Sequence, residues 1–329
     1  MNYPDSKISA GASSSVFPTA HFIREIGRGV KGARSLSFAD AHDLFKAMID
    51  GKVSDLEMGA ILIAMRIKGE SVDEIAGFLQ AAESSFLKLQ APRALFVPIV
   101  IPSYNGARRA ANLTPLLALL LARVGAPVLV HGVMSDAGRV TSAEIFHELG
   151  MQVCTSQQQA EQNWQNGLPA FMPVEHLAPR LAQLLSLRKI LGLRNSTHTL
   201  VKIMQPFVQP ALRLTSYTHP EYAAMLTQFF SVAADPARGD VLLMRATEGE
   251  TVANTKKVHQ IDWFHAHEKT TLVEAQMGSD VIVPVPADAR GTADWIKQVM
   301  AGNEPVPDNI AQQVKHCLEV AQIKQGGRE

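Results

Sequence analysis

Residues 36–82 read LSFADAHDLFKAMIDGKVSDLEMGAILIAMRIKGESVDEIAGFLQAA, and the punctuation of this stretch decides the fold. Ser37 is placed to cap a helix with Leu44, Phe45 and Met48 on one face, and Gly51 is placed to end it. Ser54-Asp-Leu-Glu57 has the spacing of a capping box, in which the serine hydroxyl and the glutamate carboxylate each satisfy a free backbone amide. It opens a second helix through Met58, Ile61, Leu62 and Met65. Ser71-Val-Asp-Glu74 repeats the device for a third helix through Ile75, Phe78 and Leu79. Three short helices with matching apolar faces predict a small helical module.

Beyond Pro92 the texture changes to short apolar runs alternating with helical patterns. Strands are expected at 97–101, 127–131, near Gln152, and at 170–172, 211–215, 241–245 and 271–275, with helices over 113–124 and 141–149. Such alternation predicts an α/β protein with a mostly parallel central sheet, whose ligands gather beyond the C-terminal ends of the strands. The expected division is a loose tail at 1–20, a helical domain at 21–92 joined by helices from about 175–200, and an α/β domain at 93–329.

A chain of 329 residues, 47% apolar and 19% charged, fits a soluble globular protein of about two domains. Cys154 and Cys317 stand far apart in no metal-like spacing, so neither a disulfide framework nor a zinc site is expected, and a reducing cytoplasm is the expected location. The opening MNYPDSKISAGASSSVFPTA lacks the pattern of a secretory signal, and the longest apolar runs are too short to span a bilayer. Formal charge is zero, but it is unevenly spread. Residues 85–213 hold 12 Lys/Arg against 5 Asp/Glu, whereas 214–329 hold 10 against 15. The middle third is a candidate anion-binding surface.

The 36–82 stretch, with Arg66-Ile-Lys-Gly-Glu-Ser71 at its centre, resembles the N-terminal helical domain of anthranilate phosphoribosyltransferase and the related nucleoside phosphorylases of glycosyltransferase family 3. The resemblance continues to about residue 255. It implies a small helical domain, a larger α/β domain of the phosphoribosyltransferase-like, nucleoside phosphorylase class, and a homodimer formed through the helical domains. The enzymes' diphosphate loop GTGGD falls on Pro102-Ser-Tyr-Asn-Gly106, which removes flexibility and one amide donor. Their NxST falls on Asn112-Leu-Thr-Pro115, and their KHGNR falls on Val130-His-Gly-Val-Met134. Their paired serines fall on Ala137-Gly138 and their magnesium-placing acidic pair on Thr251-Val252. Ser103, Asn112, Thr114, His131 and Gly132 are then the remnant of a phosphoribosyl site. Neither a catalytic residue nor a metal site is expected, and no magnesium or other cofactor.

New cations stand nearby: Arg108 and Arg109 in the altered loop, and Arg188, Lys189, Arg194 and Lys202 where the enzymes carry RxxLGxRTxFN. The combination resembles the divergent YbiB-like branch of the family, which implies sequence-tolerant binding of DNA or RNA by a homodimer that has lost catalysis. Spaced cations suit a phosphodiester backbone, because affinity there comes from counterion release along many phosphates. Tyr104 and His198 are candidates to stack on a base, with packing of the altered loop the alternative for Tyr104. Lys31 and Arg34, in or beside Gly27-Arg-Gly-Val-Lys-Gly32, are further candidates to reach phosphates; a dinucleotide site is not expected there, because no strand precedes the glycines. Internal salt bridges to Glu144 or Glu175 are the alternative for Arg188, Arg194 and Lys202. A satisfied core histidine is expected at His131, and exposed histidines rather than a metal site at His259, His265 and His267. The rival expectation for the whole chain is a phosphoribosyl or glycosyl transferase acting through Asn112, Thr114, His131 and Arg188.

Overall fold

The computed structural model describes residues 17–29, 31–276 and 287–323. Most of the tail expected at 1–20 lies outside them. The helical part comprises α1 (Ala20–Ile26), α2 (Phe38–Ile49), α3 (Asp55–Lys68) and α4 (Val72–Glu83). The α/β part runs β1 (Ile99–Ser103), α5 (Thr114–Arg123), β2 (Val128–Gly132), α6 (Ser142–Glu148), α7 (Gln157–Gln165), β3 (Ala170–Pro173), α8 (Val174–Leu177), α9 (Pro179–Ser186), α10 (Arg188–Leu191), α11 (Thr197–Ile203), β4 (Leu212–Tyr217), α12 (Pro220–Val232), β5 (Val241–Arg245), β6 (Ile261–His265), β7 (Glu268–Val273), α13 (Ala289–Ala301) and α14 (Asp308–Ala321).

Ser37 caps α2 by accepting from the Asp40 amide, and both capping boxes are formed at Ser54/Glu57 and Ser71/Glu74. A third, at Thr141/Glu144, starts α6. The sheet order is β3-β2-β1-β4-β5-β6-β7, parallel through β5 and antiparallel at β6 and β7. Its parallel strands are buried on both faces, as a sheet covered by helices on either side requires. Val100, Leu129 and Leu243 face one core, which is continuous with the helical part through Phe45, Phe78, Leu181 and Leu184. Ile101, Val130 and Leu242 face the other, under α5, α13 and α14.

Two strand expectations need correction. The segment near Gln152 forms no ladder: only the Cys154 amide reaches across, donating to the Phe171 carbonyl at 2.7 Å. Conversely, β6 is a strand that the residue pattern does not announce. Its sequence IDWFH places a buried carboxylate, Asp262, in the strand, where Gln260, Thr271 and Lys269 satisfy it.

The signature stretch at Arg66–Ser71 is the hinge between the two parts. Gly69 closes α3 at φ 79°, Arg66 donates to the Tyr222 hydroxyl at 2.9 Å, and Ser196 donates to Glu70 at 2.5 Å. Lys68 and Glu74 form a buried ion pair at 2.6 Å, and the second Glu74 oxygen accepts the Leu36 amide. The Leu36 contact ties the bundle to the chain that enters it, the Arg66 and Glu70 contacts tie it to the α/β part, and the Lys68–Glu74 pair joins α3 to α4. Strand order reverses between β1 and β4, so the crevice beyond their C-terminal ends is the place for a ligand.

Candidate anion-binding site

The loop leaving β1 runs into that crevice, and its amides are already occupied. Asn105 and Gly106 donate to one Glu250 oxygen at 2.8 and 2.7 Å, and Arg108 and Arg109 donate to one Glu248 oxygen at 2.6 and 2.9 Å. Four amides of one loop, the kind of nest that holds phosphate, thus hold two of the protein's own carboxylates. The approach is close enough to constrain residue choice. Gly106 lies at φ 63°, where a Cβ would come within 2.7 Å of the Val140 carbonyl oxygen, and Gly249 lies at φ 100° with the Asn105 side chain against it. Glu248 itself is held at φ 54°, unusual for a residue with a side chain. Burial works against its charge, but the Arg109 and Arg108 amides and the Arg139 and Arg109 guanidiniums outweigh burial and hold its carboxyl below the usual range.

Beneath this plug lies a sealed polar cluster. Ser103 donates to Ser142 at 2.7 Å, Asn112 donates to Ser142 at 3.1 Å and accepts the Thr114 amide, and the Thr114 hydroxyl donates to Glu250 at 3.4 Å. All of these side chains are buried.

At the end of β2, His131 is fully buried with its Nδ1 2.8 Å from the Tyr104 hydroxyl. Among the described residues its Nε2 has no partner, so the expectation of a satisfied core histidine holds for one ring nitrogen. Burial drives the His131 pKa from 6.5 down to about 3 and pushes the Tyr104 hydroxyl well up, with Glu175 adding to the latter. The imidazole is therefore neutral, and its Nδ1 shares a hydrogen bond with the phenol hydroxyl. The folded pKa lies below the unfolded one, so His131 contributes stability that is present above about pH 6.5 and lost as pH falls toward 3. From pH 7 to 5 the expected loss is about 2 kcal/mol, read as a lower urea midpoint; His131→Phe is expected to flatten that acid limb, and an unchanged slope would refute the assignment.

The cations converge around this loop. A cavity of about 450 Å³ is lined by Arg108, Arg109, Arg139, Arg194, Arg245 and His219. A second, of about 560 Å³, is lined by Arg188, Lys189, Arg194, His198, Lys202 and Tyr104. Asn105 and Arg194 belong to both walls. Arg194 is held there by donating to Asn105 Oδ1 at 2.6 Å, and burial, then the neighbouring Arg188 and Arg139 charges, lower its pKa. Neither Glu144 nor Glu175 pairs with these cations. Arg188 has a long contact to Asp136 at 4.0 Å, while Glu144 caps α6. Among the described residues Arg108, Arg109, Arg245, Lys189 and Lys202 carry no side-chain ion pair.

Three comparisons with known proteins bear on this arrangement. Residues 20–85 match the glycosyl transferase family, helical bundle domain. The uncharacterized protein YbiB of Escherichia coli (strain K12) is 43% identical over 311 residues, covering 92% of this chain and 96% of its own. The chain belongs to the YbiB-like branch of the anthranilate phosphoribosyltransferase superfamily. Anthranilate phosphoribosyltransferase of Saccharolobus solfataricus is 30% identical over 57% of this chain, a match that spans about half (52%) of that enzyme's length. The fold extends further than that. The Thermus thermophilus anthranilate phosphoribosyltransferase superposes over 90% of this chain and 89% of its own, with a TM-score of 0.65 at 20% identity. The Saccharomyces cerevisiae enzyme in complex with PRPP and Mg gives 0.67 at 14% identity, over 90% of this chain and 85% of its own.

Within this site the sequence candidates separate into groups. Arg108, Arg109, Arg188, Lys189, Arg194 and Lys202 lie on the two adjoining cavities, and His198 lines the second with its Nδ1 turned to the Asn195 amide at 3.2 Å. Tyr104 packs against the core with its hydroxyl committed to His131, which leaves packing of the altered loop, not a free stacking platform. Lys31 and Arg34 line neither cavity; their segment follows α1, Arg34 faces Glu25, and the neighbouring Gly27, Gly29 and Ala33 border an apolar cavity against α3. The His265 Nδ1 lies 2.9 Å from Asp240, and His267 sits in the β6–β7 turn at φ 72°. Sequence reasoning missed Glu248, Glu250, Arg139 and Arg245. The two acids stand in plain view in the EGETVANT stretch, next to the positions matched to the enzymes' acidic pair, but only the fold turns them onto the loop amides.

Proposed function

We propose that this chain binds DNA or RNA without sequence preference, as a homodimer, and does not transfer phosphoribosyl groups. The observation that carries the proposal is the pairing of a plugged diphosphate nest with a surrounding ring of cations, of which Arg108, Arg109, Lys189, Lys202 and Arg245 have no ion pair among the described residues. A small diphosphate would have to displace Glu250, which is buried, whereas a phosphodiester chain can run across Arg108, Arg109, Arg188, Lys189 and Arg245 without entering the nest. The homodimer is supported by an apolar cavity of about 640 Å³ on the helical part, where Leu56 and Ile67 are 85% and 59% exposed.

The test is a salt titration with single-stranded DNA, double-stranded DNA and RNA in parallel. Affinity is expected to fall steeply with salt for all three, with a slope that becomes shallower by about one in each of Arg108→Ala and Arg109→Ala. Salt-independent binding, or none at low salt, would overturn it.

A transferase reading is favoured by the homology to anthranilate phosphoribosyltransferase and by the surviving Ser103, Asn112, Thr114 and Ser142 cluster. It requires phosphoribosyl diphosphate to bind with magnesium. Calorimetry decides between the two: binding heat saturating at one site per chain favours the transferase, and its absence favours the polyanion binder.

A further inference from the structure

Lys202 is the cation whose surroundings ask for more than phosphate contact. It projects from α11 one turn beyond His198, and both side chains line the 560 Å³ cavity and a smaller one of about 130 Å³ behind it. It is half-buried, and among the described residues no carboxylate pairs with it and no hydrogen bond reaches its Nζ. A half-buried ammonium with no ion pair gives up its proton more easily than a fully solvated one. Burial lowers it from 10.5 to about 8, with Glu250 opposing and Arg194 assisting. A usable fraction of this side chain is therefore a neutral amine near pH 7.5, the form that attacks carbonyl carbon. Its neighbours remain cationic or neutral. Arg194 and Arg188 line the same cavity, while burial, then the Arg194 charge, bring His198 down to about 4 and leave it uncharged.

We propose that Lys202 forms an imine with an aldehyde that lies beside a phosphate, such as the ring-opened deoxyribose of an abasic site in a nucleic acid or a free phosphorylated sugar aldehyde. The Nζ lone pair adds to the carbonyl carbon, a proton passes from nitrogen to the former carbonyl oxygen, and the resulting carbinolamine loses one water to leave a C=N bond. No oxidant or reductant enters the step. Arg188 and Arg194 line the same cavity as Lys202, so guanidiniums would hold the adjacent phosphate beside an uncharged nucleophile, a division of labour that a set of fully charged side chains would not provide. For the strand-borne aldehyde the inference rests on the nucleic-acid reading above; for the free aldehyde it does not.

The test is reductive trapping of the full-length protein at pH 7.5 with sodium cyanoborohydride, which delivers hydride to the imine and fixes it as a secondary amine. Three probes are compared: an oligonucleotide with one abasic deoxyribose, the same oligonucleotide intact, and glyceraldehyde 3-phosphate. Trapping of either aldehyde, mapped to Lys202 by peptide mass spectrometry and reduced at least tenfold in Lys202→Met and Lys202→Arg, supports the proposal; which probe reacts identifies the source of the aldehyde. Binding of the intact oligonucleotide is measured in the same samples by fluorescence anisotropy. Binding without trapping overturns the imine and leaves the nucleic-acid reading standing. Trapping of glyceraldehyde 3-phosphate on Lys202 without oligonucleotide binding does the reverse. Trapping spread over surface lysines, or unchanged in both variants, overturns the assignment to Lys202.

Discussion

Glu250→Ala is expected to lower the unfolding free energy by about 4 kcal/mol, because two buried amides lose a charged acceptor at once and the Thr114 hydroxyl loses its partner. Glu250→Gln keeps one oxygen in place and is expected to lose about half as much. The diagnostic feature is rescue. Millimolar pyrophosphate or sulfate is expected to raise the urea midpoint of Glu250→Ala, since an anion can refill the vacated amides, and to leave the parent protein unmoved. An alanine variant that unfolds with the parent midpoint would show that the carboxylate contributes nothing to the loop.

A comparable loss is expected at Gly132, for a steric reason. It closes β2 opposite Ser103 in the parallel register, and a Cβ there would fall on the Ser103 carbonyl oxygen, well inside any allowed contact. The atom it would strike is backbone in the middle of the sheet, so no side chain can step aside. Gly132→Ala is expected to cost about 4 kcal/mol and to lower the melting temperature by roughly 6 °C, or to leave the protein insoluble. A soluble variant melting within about two or three degrees of the parent would refute the close approach.

The architecture could be read from residues whose effects are local. Ser37, Ser54 and Ser71 cap the helices they announce, and the apolar runs at 97–101 and 241–245 become β1 and β5 within two residues. Readings failed where pairing is decided at a distance. The stretch near Gln152 has strand-like residues but makes a single backbone hydrogen bond to β3 among the described residues, while β6 carries Asp262 inward because partners from other segments neutralise its cost. The site divides the same way. Cationic side chains were visible as residue types, but their convergence depends on Arg194 being held by Asn105 across 89 residues of chain. Glu248 and Glu250 acquire their role only through a turn with Glu248 at positive φ, for which local sequence offers Gly249 as the sole hint.

The carboxylates seated on the β1 loop also bear on which anions the proposed surface would select. Free phosphate and pyrophosphate are small, and each could engage only one or two of the outlying guanidiniums once the amides are taken. A polymer engages several in succession, and the second and later contacts form at the high local concentration that the first one creates. On the polyanion reading proposed above, the internal acids would act as a filter for length: metabolite-sized phosphates would compete poorly, and occupancy would grow with the number of linked charges a ligand brings.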